Sequence, residues 1–203
     1  MKIYIKQIEK RDFEAARKFA LDGMHLSWYV NNKVELYFYS KYVLYLELTK
    51  STMVLGAYEG DRLVGFLFAN FRGDKVVYDS WLYRLYMSIV EKTMSFFSKD
   101  DISGPYDHAN KEMLEDFMKY RPDGELTFFA VDPTLKGKRI GSLLLDELTR
   151  RKKGKLIYLY TDTGSTYQFY EKRGFTISGK RNLILPIKGK GLSLTCYLFS
   201  KKL

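Results

Sequence analysis

The junction Leu126-Thr-Phe-Phe-Ala-Val131-Asp-Pro133-Thr-Leu-Lys136-Gly-Lys-Arg-Ile140-Gly-Ser142 constrains this chain more than any other segment. A compact apolar run, read as a strand, is halted by Pro133, which has no N–H to give a sheet ladder. A short loop with Lys136, Gly137, Lys138 and Arg139 follows. From Ile140 to Arg151 the residues Ile140, Leu143, Leu144 and Leu148 then recur at helical spacing. The start of a helix offers backbone N–H groups with no intrahelical acceptor and the positive end of the helix dipole, so it suits phosphate. Gly137 and Gly141 allow the backbone to approach an anion closely, and Lys136, Lys138 and Arg139 surround it with charge. The same residues also describe an ordinary strand-to-helix loop with a solvated basic rim. No Gly-x-x-x-x-Gly-Lys-Ser/Thr occurs, which disfavours a P-loop nucleotidase. No Gly-x-Gly-x-x-Gly follows a strand, which disfavours a dinucleotide-binding Rossmann unit.

Strands and helices alternate on both sides of this junction. Lys2–Ile8 predicts a strand, and Asp12 an N-cap for a helix through Leu21 with Phe13, Ala16 and Ala20 on one side. Val34–Leu48 predicts a helix, although its tyrosines leave a strand open. Met53–Tyr58 and Leu63–Asn70 predict a hairpin closed at Glu59-Gly60-Asp61. In 71–123, Val77, Trp81, Leu85 and Ile89 give one helix, and Met113, Leu114, Phe117 and Met118 a shorter one. Ser98–Asn110 between them is polar, with a turn signal at Gly104-Pro105. This region reads as a helical insertion within a single domain spanning 1–203. Leu156–Tyr160 predicts a buried strand, Ser165–Lys172 a helix, Phe175 onward a strand, and Leu192–Phe199 the last strand. The order implies an α/β or mixed-sheet (α+β) core.

Charge is distributed unevenly. Of 34 Lys+Arg and 24 Asp+Glu, 16 basic but only 4 acidic residues lie from Lys136 onward, so the whole formal surplus of +10 falls in the last third. Such a region attracts a phosphorylated cofactor, nucleic acid or an anionic surface, or is simply solvated. One cysteine, Cys196, excludes an internal disulfide framework and a cysteine-rich metal site, and favours a reducing, cytoplasmic location. No apolar stretch reaches the length of a membrane span, and Met1–Arg11 has no signal-peptide core.

In frame, Lys136-Gly-Lys-Arg-Ile-Gly141 resembles the Arg/Gln-x-x-Gly-x-Gly/Ala signature of the GCN5-related N-acetyltransferase (GNAT) superfamily, with Lys136 at the Arg/Gln position and Arg139 at the central glycine. One helix and one strand later, Tyr167-Gln-Phe-Tyr170-Glu-Lys-Arg-Gly174-Phe175 resembles the superfamily's Phe/Leu-Tyr-x-x-x-Gly-Phe motif. The resemblance is strong over Leu126–Phe175 and looser before it. It implies a mixed, mostly antiparallel twisted sheet with a parallel, splayed central strand pair, flanked by helices. It implies acetyl-CoA as co-substrate, its pyrophosphate on Lys136, Gly137, Lys138, Arg139, Ile140, Gly141 and Ser142, its pantetheine arm beside Ala130 and Val131. It also implies that Tyr170 is the general acid to the departing thiolate, a task within reach of a phenol, although a tyrosine in an apolar helix–strand contact equally suits core packing. Gly174 permits the helix to end before Phe175, and Thr163 replaces a usual asparagine.

Glu125 matches the glutamate that serves as base in some histone-acetylating members, and is equally the exposed start of a strand. His108 is a rival base or a surface residue, His25 has no supporting neighbours, and Cys196 suits a small buried position. Tyr37, Phe38, Tyr39, Tyr42 and Tyr45 fall where early helices border the acceptor site, or pack in the core. The resulting expectation is direct transfer of an acetyl group to a small amine or peptide acceptor by a monomer or homodimer. No metal, membrane or specific nucleic acid is involved, since Arg150-Arg-Lys-Lys-Gly-Lys155 lacks a base-reading module. The alternative is a sensor or scaffold that binds acyl-CoA without turnover.

Overall fold

No residue of Gly124–Val131 is exposed, as befits a strand in the middle of a sheet packed on both faces. The computed structural model describes residues 2–28, 30, 32–97, 104–135, 137–187 and 190–203. Its seven strands are β1 (Ile3–Gln7), β2 (Met53–Glu59), β3 (Arg62–Phe71), β4 (Gly124–Val131), β5 (Leu156–Asp162), β6 (Thr176–Ile187) and β7 (Lys190–Lys202). They form one sheet in the order β1-β2-β3-β4-β5-β7-β6, antiparallel except for the central pair β4–β5. The helices are α1 (Phe13–Gly23), α2 (Lys33–Lys50), α3 (Trp81–Phe97), α4 (Gly104–Phe117), α5 (Ile140–Arg151) and α6 (Gln168–Glu171). The mixed, mostly antiparallel sheet expected from the motifs is the one found.

α5 covers one face. Its Ile140, Leu144, Leu145 and Leu148 pack with Leu55, Leu67, Leu126, Ile157, Leu159 and Phe199. The opposite face is shared. α1 and α2 lie over β2–β4, where Ala16, Leu44 and Leu48 meet Phe66, Phe68 and Phe128. Over β5–β7, Met113 and Phe117 of α4 meet Cys196 and Leu198, with Tyr158 and Tyr160 beside them. The two helical groups therefore flank the β4–β5 line on this face.

α2 is a helix despite its tyrosines. Asn32 caps it by accepting from Val34 N–H at 3.0 Å and Glu35 N–H at 2.9 Å. The aromatic side is then buried against α3: Tyr45 stacks on Tyr83 at 4.3 Å, and Tyr42 donates to Glu91 at 2.8 Å.

Three local expectations need correction. Asp12 stands at the N-cap of α1 but its side chain makes no capping bond; its carboxylate instead accepts from the Tyr58 hydroxyl at 2.7 Å. Gly104-Pro105 opens α4 rather than a turn, because proline's missing N–H costs nothing in a first helical turn. The helix expected from Ser165 shortens to α6. Asp162 diverts the preceding residues by accepting from Gly164 N–H through Oδ1 at 2.7 Å and from Ser165 N–H through its carbonyl at 3.1 Å. Ser98–Ser103 of the polar stretch lie outside the described residues.

Candidate active site

The register of β4 creates the site. β3 pairs Phe68 with Phe128 and then Ala69 with Leu126, so Thr127 is an extra residue, a bulge. On its other side β4 pairs with β5 only at Gly124–Ile157 and Glu125–Tyr158. Beyond those pairs β5 follows β7, through Asp162–Cys196, while β4 follows β3 to Val131. From Leu126 onward the two parallel strands part, and the β4 edge that carries Ala130 and Val131 faces the gap.

At the end of β4 the chain turns on Asp132. Thr134 donates to its Oδ1 through N–H at 2.9 Å and hydroxyl at 2.7 Å, and Arg62 pairs with the other oxygen. Burial alone would lift this carboxyl, but these bonds outweigh it and hold it below its usual range. The loop then needs left-handed backbone twice, at Gly137 (φ +86°) and Arg139 (φ +61°). That geometry explains a glycine at the position Arg139 occupies: an L side chain pays for the left-handed region there. Arg139 and Lys138 are both exposed, and Arg139 is the N-cap of α5 with no side-chain capping bond. The first bond of the helix runs from Leu143 N–H to Arg139 C=O at 3.0 Å, so the amides of Gly141 and Ser142 precede it. Lys136 lies outside the described residues.

Gly141 serves packing more than anion approach. A Cβ there would meet Phe129 Cζ and Phe169 Cζ, each at 3.2 Å. Those rings lead to Tyr170, whose centroid lies 6.4 Å from Phe129, 5.4 Å from Phe169, 5.7 Å from Phe175 and 6.1 Å from Phe199. Its backbone is fixed by Phe175 N–H donating to its carbonyl at 3.1 Å, after a left-handed turn at Gly174 (φ +77°). Burial pushes the phenol well above its usual range, so it remains a proton donor.

Glu125 lies on the face of the sheet opposite α5, beside Tyr158 of β5. Tyr158 donates to its Oε2 at 3.2 Å. Burial raises its carboxyl above the ordinary value; Lys50 opposes this, Glu47 adds to it and the Tyr158 bond lowers it. Burial likewise raises the phenols of Tyr158 and Tyr160, whose rings meet edge to face at 5.6 Å. Of the aromatic set on α2, Tyr42 and Tyr45 join α2 to α3, and Tyr37 and Phe38 are exposed. Tyr39 stacks on Tyr42, and its phenol is pushed up to about 12 by burial and by the charge of Asp107.

The remaining candidates have structural roles. His108 is 74% exposed at its side chain and lies 3.4 Å from Glu112 on the same helix. His25 bonds the Gly164 carbonyl at 2.8 Å and stacks on Trp28. Thr163 staples β5 to β7, its Oγ1 accepting from Thr195 N–H at 3.1 Å. Cys196 is buried, its thiol pushed up to about 12 by that burial, which leaves it no nucleophile near neutral pH. Two residues escaped the sequence reading. Arg173 reaches the first turn of α5 by donating to Ser142 Oγ, adding a cation to the loop; its place inside the second motif was the available signal. Glu47, buried in α2, raises the Glu125 carboxyl through its charge, and nothing local marks it.

Residues 108–177 match the family model described as the acetyltransferase (GNAT) domain. No curated protein matches the chain. Solved structures match it along its length. The polyamine N-acetyltransferase of Drosophila melanogaster, which forms N-acetylagmatine, is 15% identical with a TM-score of 0.63 and 100% of each chain covered. The PaiA N-acetyltransferase of Thermoplasma acidophilum, solved with coenzyme A, is 16% identical with a TM-score of 0.53 and the same coverage. An agmatine N-acetyltransferase is 12% identical with a TM-score of 0.63, covering 99% of this chain and 100% of its own. At such identities the likeness is one of fold.

Proposed function

We propose that the chain is a member of the GNAT superfamily and an acetyl-CoA-dependent N-acetyltransferase that acetylates a small amine by direct transfer. The observation that carries the reading is the parting of β4 from β5 immediately after Glu125 and Tyr158, with a basic helix-start loop at the far end of β4. Polyamine and agmatine acetyltransferases among the structural neighbours support an amine acceptor. Among the described residues no helix is long and apolar enough to cross a membrane.

Acetyl-CoA supplies the activated acyl group, a thioester carbonyl open to attack. The protein's residues bind it in two ways. The amides of Gly141 and Ser142, with Lys138, Arg139 and Arg173, take the pyrophosphate; Lys136 belongs to the same loop. The free edge of β4 at Ala130 and Val131 pairs with the amides of the pantetheine arm as a strand would. Glu125 takes a proton from the acceptor ammonium, directly or through water, and the neutral nitrogen forms its bond to the carbonyl carbon. As the carbon–sulfur bond breaks, Tyr170 donates its phenolic proton to the sulfur. The nitrogen gives its second proton to solvent as the tetrahedral intermediate collapses, solvent reprotonates Tyr170 and takes the proton from Glu125, and one proton is released per turnover.

Release of free thiol from acetyl-CoA across a panel of amines tests this. Tight CoA binding with no transfer to any acceptor would replace it with the sensor reading.

Arg139 gives a separate check. Arg139→Gly removes a left-handed L residue and should raise stability to urea by about 0.5–1 kcal/mol. It should also weaken CoA roughly two- to fivefold, with a shallower salt dependence, because a surface charge near phosphate is lost. A loss of stability would show that the Arg139 side chain is anchored rather than solvated.

A further inference from the structure

We propose that the acceptor is a diamine, and that Glu47 holds the nitrogen that stays charged while Glu125 serves the nitrogen that reacts. This rests on the acetyltransferase reading above and assigns its substrate class.

Glu47 is 8% exposed, in the last turns of α2. One carboxylate oxygen, Oε1, meets Lys50 Nζ at 2.8 Å. The other, Oε2, is fully buried and no hydrogen-bond partner reaches it. A buried carboxylate oxygen left without a donor is costly, and proteins retain such groups where a ligand brings the missing donor. The neighbourhood says which ligand. α2 ends at Lys50, Thr52 N–H just beyond it donates to the Ala69 carbonyl at 3.0 Å, and β3 there pairs Asn70 with Glu125, so Glu47 and Lys50 lie near Glu125 and their charges act on it, two carboxylates against one ammonium. Lys50 is drawn outward, with 42% of its side chain exposed. Thr127 Oγ1, on the bulge two residues beyond Glu125, is another buried polar atom that no hydrogen-bond partner reaches among the described residues. The rings of Tyr158 and Tyr160 supply aromatic faces beside Glu125, surfaces that attract alkylammonium groups.

Chemistry separates the two carboxylates. The attacking nitrogen must lose its proton, so it cannot remain the permanent partner of an anion. Glu125, bonded by a tyrosine and placed where β4 and β5 part, exchanges that proton. Glu47 exchanges none and needs a cation that persists through the reaction. A monoamine satisfies Glu125 and leaves Glu47 Oε2 bare, whereas a diamine satisfies both.

The test compares a series of α,ω-diamines with n-alkylamines of equal chain length, read by thiol release from acetyl-CoA. In the wild type the best diamine should exceed its monoamine in kcat/KM by about ten- to hundredfold, the range expected of a charge-assisted bond. Glu47→Gln should collapse that ratio to within a few-fold, mainly by raising KM for the diamine. Glu112→Gln, on the outer side of α4, should leave the ratio unchanged and so controls for net charge. Binding is read separately from turnover: the diamine should raise the melting temperature of the wild type but not of Glu47→Gln. A diamine that stabilises the wild type through Glu47 while no amine is acetylated would overturn the transferase reading and keep the site. Equal rates for diamine and monoamine, a better rate for a peptide amine, or a Glu47→Gln defect shared equally by both amines would overturn the diamine assignment.

Discussion

Replacing Tyr170 with phenylalanine should lower kcat by about 10²- to 10³-fold while leaving the CoA dissociation constant within about twofold. General acid assistance to a leaving group is worth at least this much, and the substitution removes little else. The ring contacts with Phe129, Phe169, Phe175 and Phe199 are all retained by phenylalanine. Among the described residues no group is recorded bonding the Tyr170 hydroxyl, so its removal strands no partner. Because burial lifts the phenol above its usual range, the donor form persists through neutral and mildly alkaline pH. The wild-type kcat profile should therefore carry no alkaline limb from Tyr170. Thiol-release kinetics and calorimetric titration with CoA measure the two halves of the prediction. An unchanged kcat would remove Tyr170 from the mechanism, and an equal loss in CoA affinity would recast it as a packing residue.

Legibility from sequence followed the reach of the interactions concerned. The strand–loop–helix junction from Leu126 to Ser142 was readable because proline, glycine and periodic leucines act within a few residues. The Tyr170–Phe175 segment was readable for the same reason: a short helix, a left-handed glycine and the next strand form one local unit. What sequence could not show is where β4 leaves β5. That depends on one extra residue, Thr127, measured against β3, a strand more than fifty residues earlier. Arg173 reaches Ser142 across 31 residues of chain. Glu47 comes near enough to act on Glu125 only because α2 packs over the sheet, and Asp12 gave up its expected cap for the hydroxyl of Tyr58, 46 residues away. Even where a residue was read correctly, its reason changed. Gly141 lies at the start of α5 as expected, yet Phe129 and Phe169 are what exclude a side chain there.

Glu125→Gln should lower activity while leaving stability at neutral pH equal or higher. As the base, Glu125 must be ionised to accept the amine proton, so its loss should cost about a hundredfold or more in kcat/KM. In the wild type the acidic limb of kcat/KM should lie above the ordinary glutamate value of 4.5, because burial raises this carboxyl. Glu47 reinforces the rise, while Lys50 and the Tyr158 bond limit it; in Glu125→Gln the limb should be absent. The stability sign follows from linkage. A carboxyl whose folded value is raised favours its protonated form in the fold, so its contribution is fully present below the unfolded value and lost as pH rises through the folded one. At neutral pH the ionised Glu125 therefore burdens the fold. Glutamine carries no charge and can still accept from Tyr158. The variant should match or exceed the wild type in urea at neutral pH, and that margin should vanish below the ordinary glutamate value. A variant that is less stable at neutral pH, or that keeps the acidic limb, would show that Glu125 is a structural carboxylate and that the proton leaves by another group.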